Sequence, residues 1–304
     1  TEPGWGEGRS ELTVTADGTL WGRLDSWPYD ATLSSLDGKS WIDRADLDAT
    51  ASVIGIATTP DGTAWATIAD NSQCPKDTSS PSCRQTLLMR FDEMGTSTSH
   101  GWEGADPGRL SWHKPMVSPD GDLWLVDDGN AEMEAAEVAA FHHYDGTEWH
   151  TIDAPEGLTS GPRGESFGFG PDGTLWAAAT AAGEDASYVW APNHGLARLD
   201  DSGWMVFTEA DGVQAWGGQG PWTASDHLRV AADGTVWVNG ADDQTDCGVV
   251  ASFDGASWRP YLQGYCIDGL GTTHDGAVWV LASPSRGELL GIYVITPEAV
   301  AGTE

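Results

Sequence analysis

Four ionisable side chains occupy the same position of a repeated pattern. His113, Glu165, Asp226 and Asp268 each stand seven residues before an Asp-Gly-x-x-Trp sequence, and His227 is the next residue after Asp226. The residue two positions further on is apolar in every copy of the pattern. The polar position therefore predicts the point at which a strand leaves the core, at the rim of a central channel if the copies form a ring.

Carboxylates and imidazoles at such a rim support two kinds of chemistry. Glu165, Asp226 and Asp268 could hold Ca²⁺ or another divalent cation, because hard cations prefer carboxylate oxygens. His113, Glu165, Asp226 and His227 could act in acid–base catalysis, because close carboxylates raise one another's pKa and an imidazole can exchange a proton. Polar residues at a wet rim need no function, so a purely structural interpretation stays open.

The repeat that must position these residues occurs six times. Its Asp-Gly pairs begin at Asp17, Asp61, Asp120, Asp172, Asp233 and Asp275. Asp-Gly is typical of tight hairpin turns because glycine adopts positive φ, so each copy predicts strands A and B. A second pattern follows, as in Leu36–Trp41 and Tyr144–Trp149, and predicts strands C and D.

Four short strands in each of six units predict an all-β fold, a six-bladed β-propeller with four antiparallel strands per blade, as a single domain over residues 1–304. The last unit ends in strand C, near Leu289–Thr296, and Trp5 lies in a segment that resembles an isolated strand D. We therefore expect an N-terminal strand to complete the last blade and leave no free sheet edge.

One stretch of the chain resembles a known repeat family. Gly195–Asp200, Gly203–Val213 and Ala232–Trp237 resemble the two-component-regulator propeller repeats of bacterial extracellular sensor regions, and the wider group that holds the streptogramin B lyases. The resemblance extends over essentially the whole chain and implies a propeller fold with a sensor role. No pair of residues in this sequence matches the catalytic pair of the lyases.

The tryptophans separate into a scaffold set and a remainder. Of 17 tryptophans, 12 occupy the two repeated patterns, where a large flat ring fills the space between adjacent blades. The others fall in B–C and D–A loops, which share one face of a propeller and carry the long insertions: Trp27, Trp112, Trp190, Trp216 and Trp222. We expect these five to bind a ligand; small satellite cores under the loops are the alternative.

The cysteines predict an oxidising compartment. Cys74 and Cys83 lie in one long loop, whereas Cys247 and Cys266 fall in adjacent loops of the expected ring, and no Cys-x-x-Cys pair occurs. We expect the disulfides Cys74–Cys83 and Cys247–Cys266, with four buried thiols as the alternative.

Charge excludes two classes of partner. With 14 Lys and Arg against 47 Asp and Glu, the net charge of −33 argues against binding to nucleic acid and to anionic membrane surfaces. No apolar run has the length of a membrane span, so we expect no membrane insertion by this segment. We expect an extracellular or periplasmic monomer, with any anchor in a segment outside this chain.

Two functions from different classes fit these features. The first is a secreted or surface-anchored sensor propeller that recognises a carbohydrate or other small molecule through its loop tryptophans. The second is a lyase or hydrolase that uses the rim carboxylates and histidines, with or without a divalent cation. The resemblance favours the sensor, and whether the chain is an enzyme stays open.

His142, His143 and His150 fall on strands C and D of the third unit, where we expect sheet-surface roles.

Overall fold

The computed structural model describes most of the strands and the turns that join them. It describes residues 11–14, 19–26, 30–36, 40–43, 51–70, 85–91, 97–100, 115–127, 140–154, 167–179, 195–207, 228–241, 247–273, 276–285 and 291–296. Every regular element in these ranges is a β-strand, so the expected all-β class is confirmed. No helix among them is long and apolar enough to cross a membrane.

The strands form antiparallel sheets in which sequence neighbours pair. The first sheet holds β1 (Glu11–Val14), β2 (Leu20–Ser26), β3 (Asp30–Leu36) and β4 (Trp41–Asp43). The second holds β5 (Ala51–Thr58), β6 (Ala64–Asp70), β7 (Gln85–Phe91) and β8 (Ser97–His100). The third holds β9 (Met116–Val117), β10 (Leu123–Asp127), β11 (Ala140–Tyr144) and β12 (Trp149–Asp153).

The remaining strands form one sheet of four and one of six. The four-stranded sheet holds β13 (Phe167–Phe169), β14 (Leu175–Ala179), β15 (Gly195–Asp200) and β16 (Gly203–Phe207). The six-stranded sheet holds β17 (Leu228–Val230), β18 (Val236–Ala241), β19 (Gly248–Phe253), β20 (Trp258–Thr272), β21 (Val278–Ser283) and β22 (Gly291–Ile295).

Backbone contacts divide the chain into two compact units. One comprises residues 1–130 and 140–152, and the other comprises residues 131–139 and 153–304. The expected single domain over 1–304 stays a prediction.

The Asp-Gly turns close the first hairpin in the repeats whose turns the structure describes. In the second sheet, Thr59 N–H donates to Thr63 O at 2.9 Å and Gly62 N–H donates to Thr59 O at 3.0 Å, with Gly62 at a φ of 86°. The loop therefore has three residues, one more than the tight turn that Asp-Gly predicts. A type I turn followed by a left-handed glycine matches the right-handed twist of the strands.

The turn aspartate holds the turn by accepting hydrogen bonds on its carboxylate. Asp61 Oδ1 accepts the Thr63 N–H at 3.0 Å and the Thr59 hydroxyl. The Thr59 hydroxyl is the main cause that holds the pKa of the Asp61 carboxyl below its usual value. The ionised carboxylate of Asp61 therefore serves the geometry of the turn.

In four repeats the first tryptophan packs against the following strands. Trp65 of β6 joins Leu123 and Leu125 of β10 in one cluster, and its ring lies 6.0 Å from that of Tyr144. Trp176 of β14 meets Phe253 of β19 in the same way, at 6.1 Å. Five such tryptophans are between 1% and 8% exposed: Trp21, Trp65, Trp124, Trp176 and Trp237.

The last copy of this tryptophan differs from the other five. Trp279 of β21 is 46% exposed, and Leu281, Ile292 and Val294 beside it are also exposed. The opposite side of the same strands is buried, with Val278 and Val280 at 0%. The final strands therefore present one apolar face that no described residue covers.

One expected loop is a strand instead. Cys266 was expected in a D–A loop, but it lies within β20, whose first half pairs with β19 and whose second half pairs with β21. Leu262 and Gly264 have φ values of 47° and 82° and lie between Tyr261 and Tyr265, where the pairing with β19 shifts register. The loop prediction is wrong because strand pairing continues through this segment, first with β19 and then with β21.

A matched pair of glycines tests the turn geometry. A Cβ at Gly234 (φ 86°) or at Gly271, where φ is ordinary, meets no atom within 4 Å. We expect G234A to lower the free energy of unfolding by about 1 kcal/mol, the cost of a left-handed conformation for an L-residue. G271A should leave it unchanged or raise it slightly. Equal effects of the two variants in urea unfolding would contradict this account.

Candidate functional site

The expected rim lies mostly outside the described residues. His113, Glu165, Asp226 and His227 fall there, so their catalytic and metal-binding roles stay predictions. Asp268 lies in β20, where the pairing with β21 shifts register between Ile267 and Gly269. The backbone at Asp268 is therefore a β-bulge.

The bulge recurs at the equivalent position of the second repeat. In β5 the register shifts between Val53 and Gly55, and Ile54 stands seven residues before Asp61 just as Asp268 precedes Asp275. Bulges re-aim a side chain and are frequent beside active sites. The position seven residues before the Asp-Gly pair is thus a β-bulge in both repeats in which the structure describes it.

The expected ligand-binding tryptophans also lie outside the described residues. They are Trp27, Trp112, Trp190, Trp216 and Trp222, and their role stays a prediction.

One of the two expected disulfides is present. Cys247 bonds Cys266, with Cα atoms 4.1 Å apart, and ties the start of β19 to β20 two residues before the bulge at Asp268. Cys74 and Cys83 lie outside the described residues. The Cys247–Cys266 bond fits an oxidising compartment.

A cation covers the repeated tryptophan in two sheets. The guanidinium of Arg90 lies 5.8 Å from the Trp65 ring, and that of Arg198 lies 5.8 Å from the Trp176 ring. Each is near a turn carboxylate, with Arg198 Nη2 2.9 Å from Asp200 Oδ2 and Arg90 Nη2 4.0 Å from Asp61 Oδ2. These contacts add cation–π attraction to the apolar packing.

In the third sheet a histidine takes the place of the arginine. The His143 ring stacks on Trp124 with centroids 4.5 Å apart, and its Nε2 lies 2.6 Å from Asp122 Oδ2. The side chains of His143 and Asp122 are 20% and 25% exposed. The expected sheet position of His143 is confirmed, but its partner across the sheet was not foreseen.

The same hairpin carries a second histidine among carboxylates. His150 Nε2 lies 3.3 Å from Asp145 Oδ2 and 3.8 Å from Glu148 Oε1, and its ring lies 5.6 Å from that of His143. Hydrogen bonds from the Thr147 hydroxyl and from the N–H groups of Glu148 and Thr147 hold the pKa of the Asp145 carboxyl far below its usual range. Sequence reasoning placed His150 on the sheet surface but missed this cluster; the signal was the pair of histidines on either side of an acidic turn.

Similarity to known proteins is visible in structure rather than in sequence. No family model matches the chain, and no curated protein sequence matches it. Virginiamycin B lyase from Staphylococcus aureus matches with a TM-score of 0.52 and 14% identity, over 93% of this chain and 83% of that one. The chain has the fold of a β-propeller.

Two further structural neighbours belong to longer chains. The extracellular domain of a one-component system from B. thetaiotaomicron matches with a TM-score of 0.51 and 13% identity, over 94% of this chain and 31% of that one. Acylaminoacyl peptidase from Pyrococcus horikoshii matches with a TM-score of 0.59 and 11% identity, over 94% and 43%. The resemblance to lyase-type and sensor propellers is therefore confirmed at the level of fold, and identities this low show the fold alone.

The disulfide gives a direct test of how β19 and β20 are held. We expect C247A/C266A to lose about 3 kcal/mol of stability, since the bond closes a loop with a sequence separation of 19 residues. Urea unfolding of the variant and of the wild type checks the value. A loss below about 0.5 kcal/mol, well under the usual range for a native disulfide, would show that the bond does not constrain the chain.

Proposed function

We propose that this chain is a secreted or surface-anchored propeller that binds a carbohydrate or other small molecule on the face formed by its loop tryptophans. One observation carries the proposal: the tryptophans of the first repeated pattern are mostly buried in the packing of the strands. Five of the six first-pattern tryptophans are 1% to 8% exposed. The loop tryptophans occupy neither repeated pattern, so the scaffold gives no reason for them.

The chemistry of the expected face suits a sugar. Indole faces pack against the apolar side of a sugar ring, and nearby carboxylates accept hydrogen bonds from hydroxyl groups. Glu165, Asp226 and Asp268 would supply such acceptors beside the tryptophans. The net charge of −33 disfavours anionic ligands and favours neutral or cationic ones.

Location outside the cytoplasm is supported by two observations. The Cys247–Cys266 disulfide is typical of oxidising compartments. A propeller neighbour is an extracellular domain of a bacterial one-component system. We propose the same environment for this chain.

A glycan panel tests the binding face. We expect a neutral glycan to change the tryptophan fluorescence of the wild type, and W190A/W222A to weaken that binding at least fivefold, because each aromatic contact contributes about 0.5–1.5 kcal/mol beyond area burial. W204F is the control, since Trp204 lies in β16 and donates to Asp153 O at 2.9 Å. Unchanged affinity of W190A/W222A would rule out the tryptophan face.

An enzyme acting at the rim is the second candidate. The bulge at Asp268 favours it, because bulges are frequent beside active sites. In that case a lyase or hydrolase would use His113, Glu165, Asp226 and His227, with a divalent cation on Glu165, Asp226 and Asp268. Mass spectrometry of the bound glycan separates the two functions, since a sensor returns its ligand intact.

We also propose that the six repeats form six four-stranded blades and that the N-terminal segment around Trp5 supplies the last strand. The support is the sheet count: β20 serves two hairpins, so the described strands make five groups of four and a final group of three. The exposed face of Trp279 is chemically the same as the faces that are covered in earlier repeats.

A pair of tryptophan substitutions tests ring closure. If the ring is closed, W279A should cost about 3–5 kcal/mol, as expected for W237A, because each then removes a buried ring. M205A is the exposed control, since Met205 is 44% exposed. A loss for W279A no larger than that for M205A would show that the face of Trp279 stays open in solution.

A further inference from the structure

The hairpin between β11 and β12 holds three potential metal ligands. One ligand atom each from Asp145, Glu148 and His150 lies within 4.8 Å of the others. His150 Nε2 is 3.3 Å from Asp145 Oδ2 and 3.8 Å from Glu148 Oε1. Two ligand atoms that each lie about 2.1 Å from a tetrahedral zinc ion are about 3.4 Å apart, so both distances fit.

The scaffold does not require these three side chains together. The turn between β19 and β20 has the same design: Asp254 Oδ1 accepts the N–H groups of Ala256 and Ser257 at 2.9 and 2.8 Å. Asp145 Oδ1 likewise accepts from Thr147 N and Glu148 N, at 2.7 and 2.9 Å.

The two turns differ at the positions of the extra ligands. Ser257 stands where the first turn has Glu148, and Arg259 stands where it has His150. The Asp254 turn therefore folds without a second carboxylate or an imidazole, and Ser257 Oγ donates to Asp254 Oδ2 at 2.8 Å. Glu148 and His150 instead each add a group that can bind a cation.

The turn leaves one carboxylate oxygen of Asp145 for a ligand. Its Oδ1 is occupied by three donors of the turn, and its Oδ2 faces His150. The strand β12 fixes the backbone of His150, while Glu148 is 73% exposed and can move to complete the set. A preorganised oxygen beside an imidazole lowers the cost of binding an ion.

The donor set selects the kind of ion. One imidazole nitrogen and two carboxylate oxygens suit a first-row divalent transition metal such as Zn²⁺. Ca²⁺ takes six to eight oxygen ligands, and this turn does not offer them. We propose that Asp145, Glu148 and His150 form a surface site for Zn²⁺ or a related divalent transition-metal ion.

The site uses other residues than the proposed ligand-binding face. It lies on a hairpin end built from β11 and β12, and none of its residues belongs to the predicted rim or to the loop tryptophans. His143 lies next to it and already faces Asp122 at 2.6 Å. Three protein ligands leave coordination positions for water or for a group on another molecule.

Zinc titration of the full chain tests the proposal. The variant E148S/H150R gives this turn the residues of the Asp254 turn. The metal-free wild type should bind one more equivalent of Zn²⁺ than this variant, and the affinity of the variant for Zn²⁺ at this site should be at least tenfold lower. Isothermal titration in 150 mM salt with excess Mg²⁺ measures both quantities. The melting temperatures of the metal-free proteins should agree, because the aspartate of the turn is retained.

An acidic chain can bind Zn²⁺ at other carboxylates, and a reciprocal variant controls for such binding. S257E/R259H transfers the two added ligands to the Asp254 turn and should gain one equivalent of Zn²⁺. Co²⁺ substitution should give a visible absorption band that E148S/H150R lacks. The proposal is wrong if E148S/H150R keeps the stoichiometry and affinity of the wild type.

Discussion

The packing of one indole ring against the next group of strands is the contact on which the structure depends. Trp21, Trp65, Trp176 and Trp237 each join a cluster with residues of the following repeat. A shift of one residue in strand register would turn each ring to the other side of its sheet. The turn that precedes the tryptophan therefore has to hold the register, and Asp61 with Gly62 does so through specific hydrogen bonds.

Because the tryptophan packing and the turn hydrogen bonds hold the repeat, the other side chains at the hairpin ends can differ between repeats. The first tryptophan of the repeat is covered by an arginine in the second and fourth sheets and by His143 in the third. In the same way, one turn carries Glu148 and His150 while its counterpart carries Ser257 and Arg259. Function in this chain is thus expected where side chains exceed what the packing of the repeat needs.

Much of the fold could be predicted because its signals are local. The Asp-Gly pair at Asp61 predicted a strand on either side of it, and the structure has Ala51–Thr58 and Ala64–Asp70 there. The disulfide between Cys247 and Cys266 was found because the repeat places their segments side by side. The continuous strand β20 was missed because its two halves pair with different strands, which a single sequence does not show.

The candidate site was harder to predict because it depends on contacts across strands. Asp122 meets His143 from 21 residues away, and the stacking of His143 on Trp124 follows from the β10–β11 register. Neither contact can be inferred without that register. The rim position was predictable to the extent that it is periodic, as the bulges at Ile54 and Asp268 illustrate.

The central claim is that scaffold and loop tryptophans are separate sets, and fluorine NMR tests it most directly. Labelling with 5-fluorotryptophan gives 17 resonances, one for each tryptophan. A soluble paramagnetic agent should broaden the resonances of Trp27, Trp112, Trp190, Trp216 and Trp222, and leave those of Trp21, Trp65, Trp176 and Trp237 sharp. Equal broadening of the two sets would contradict the account.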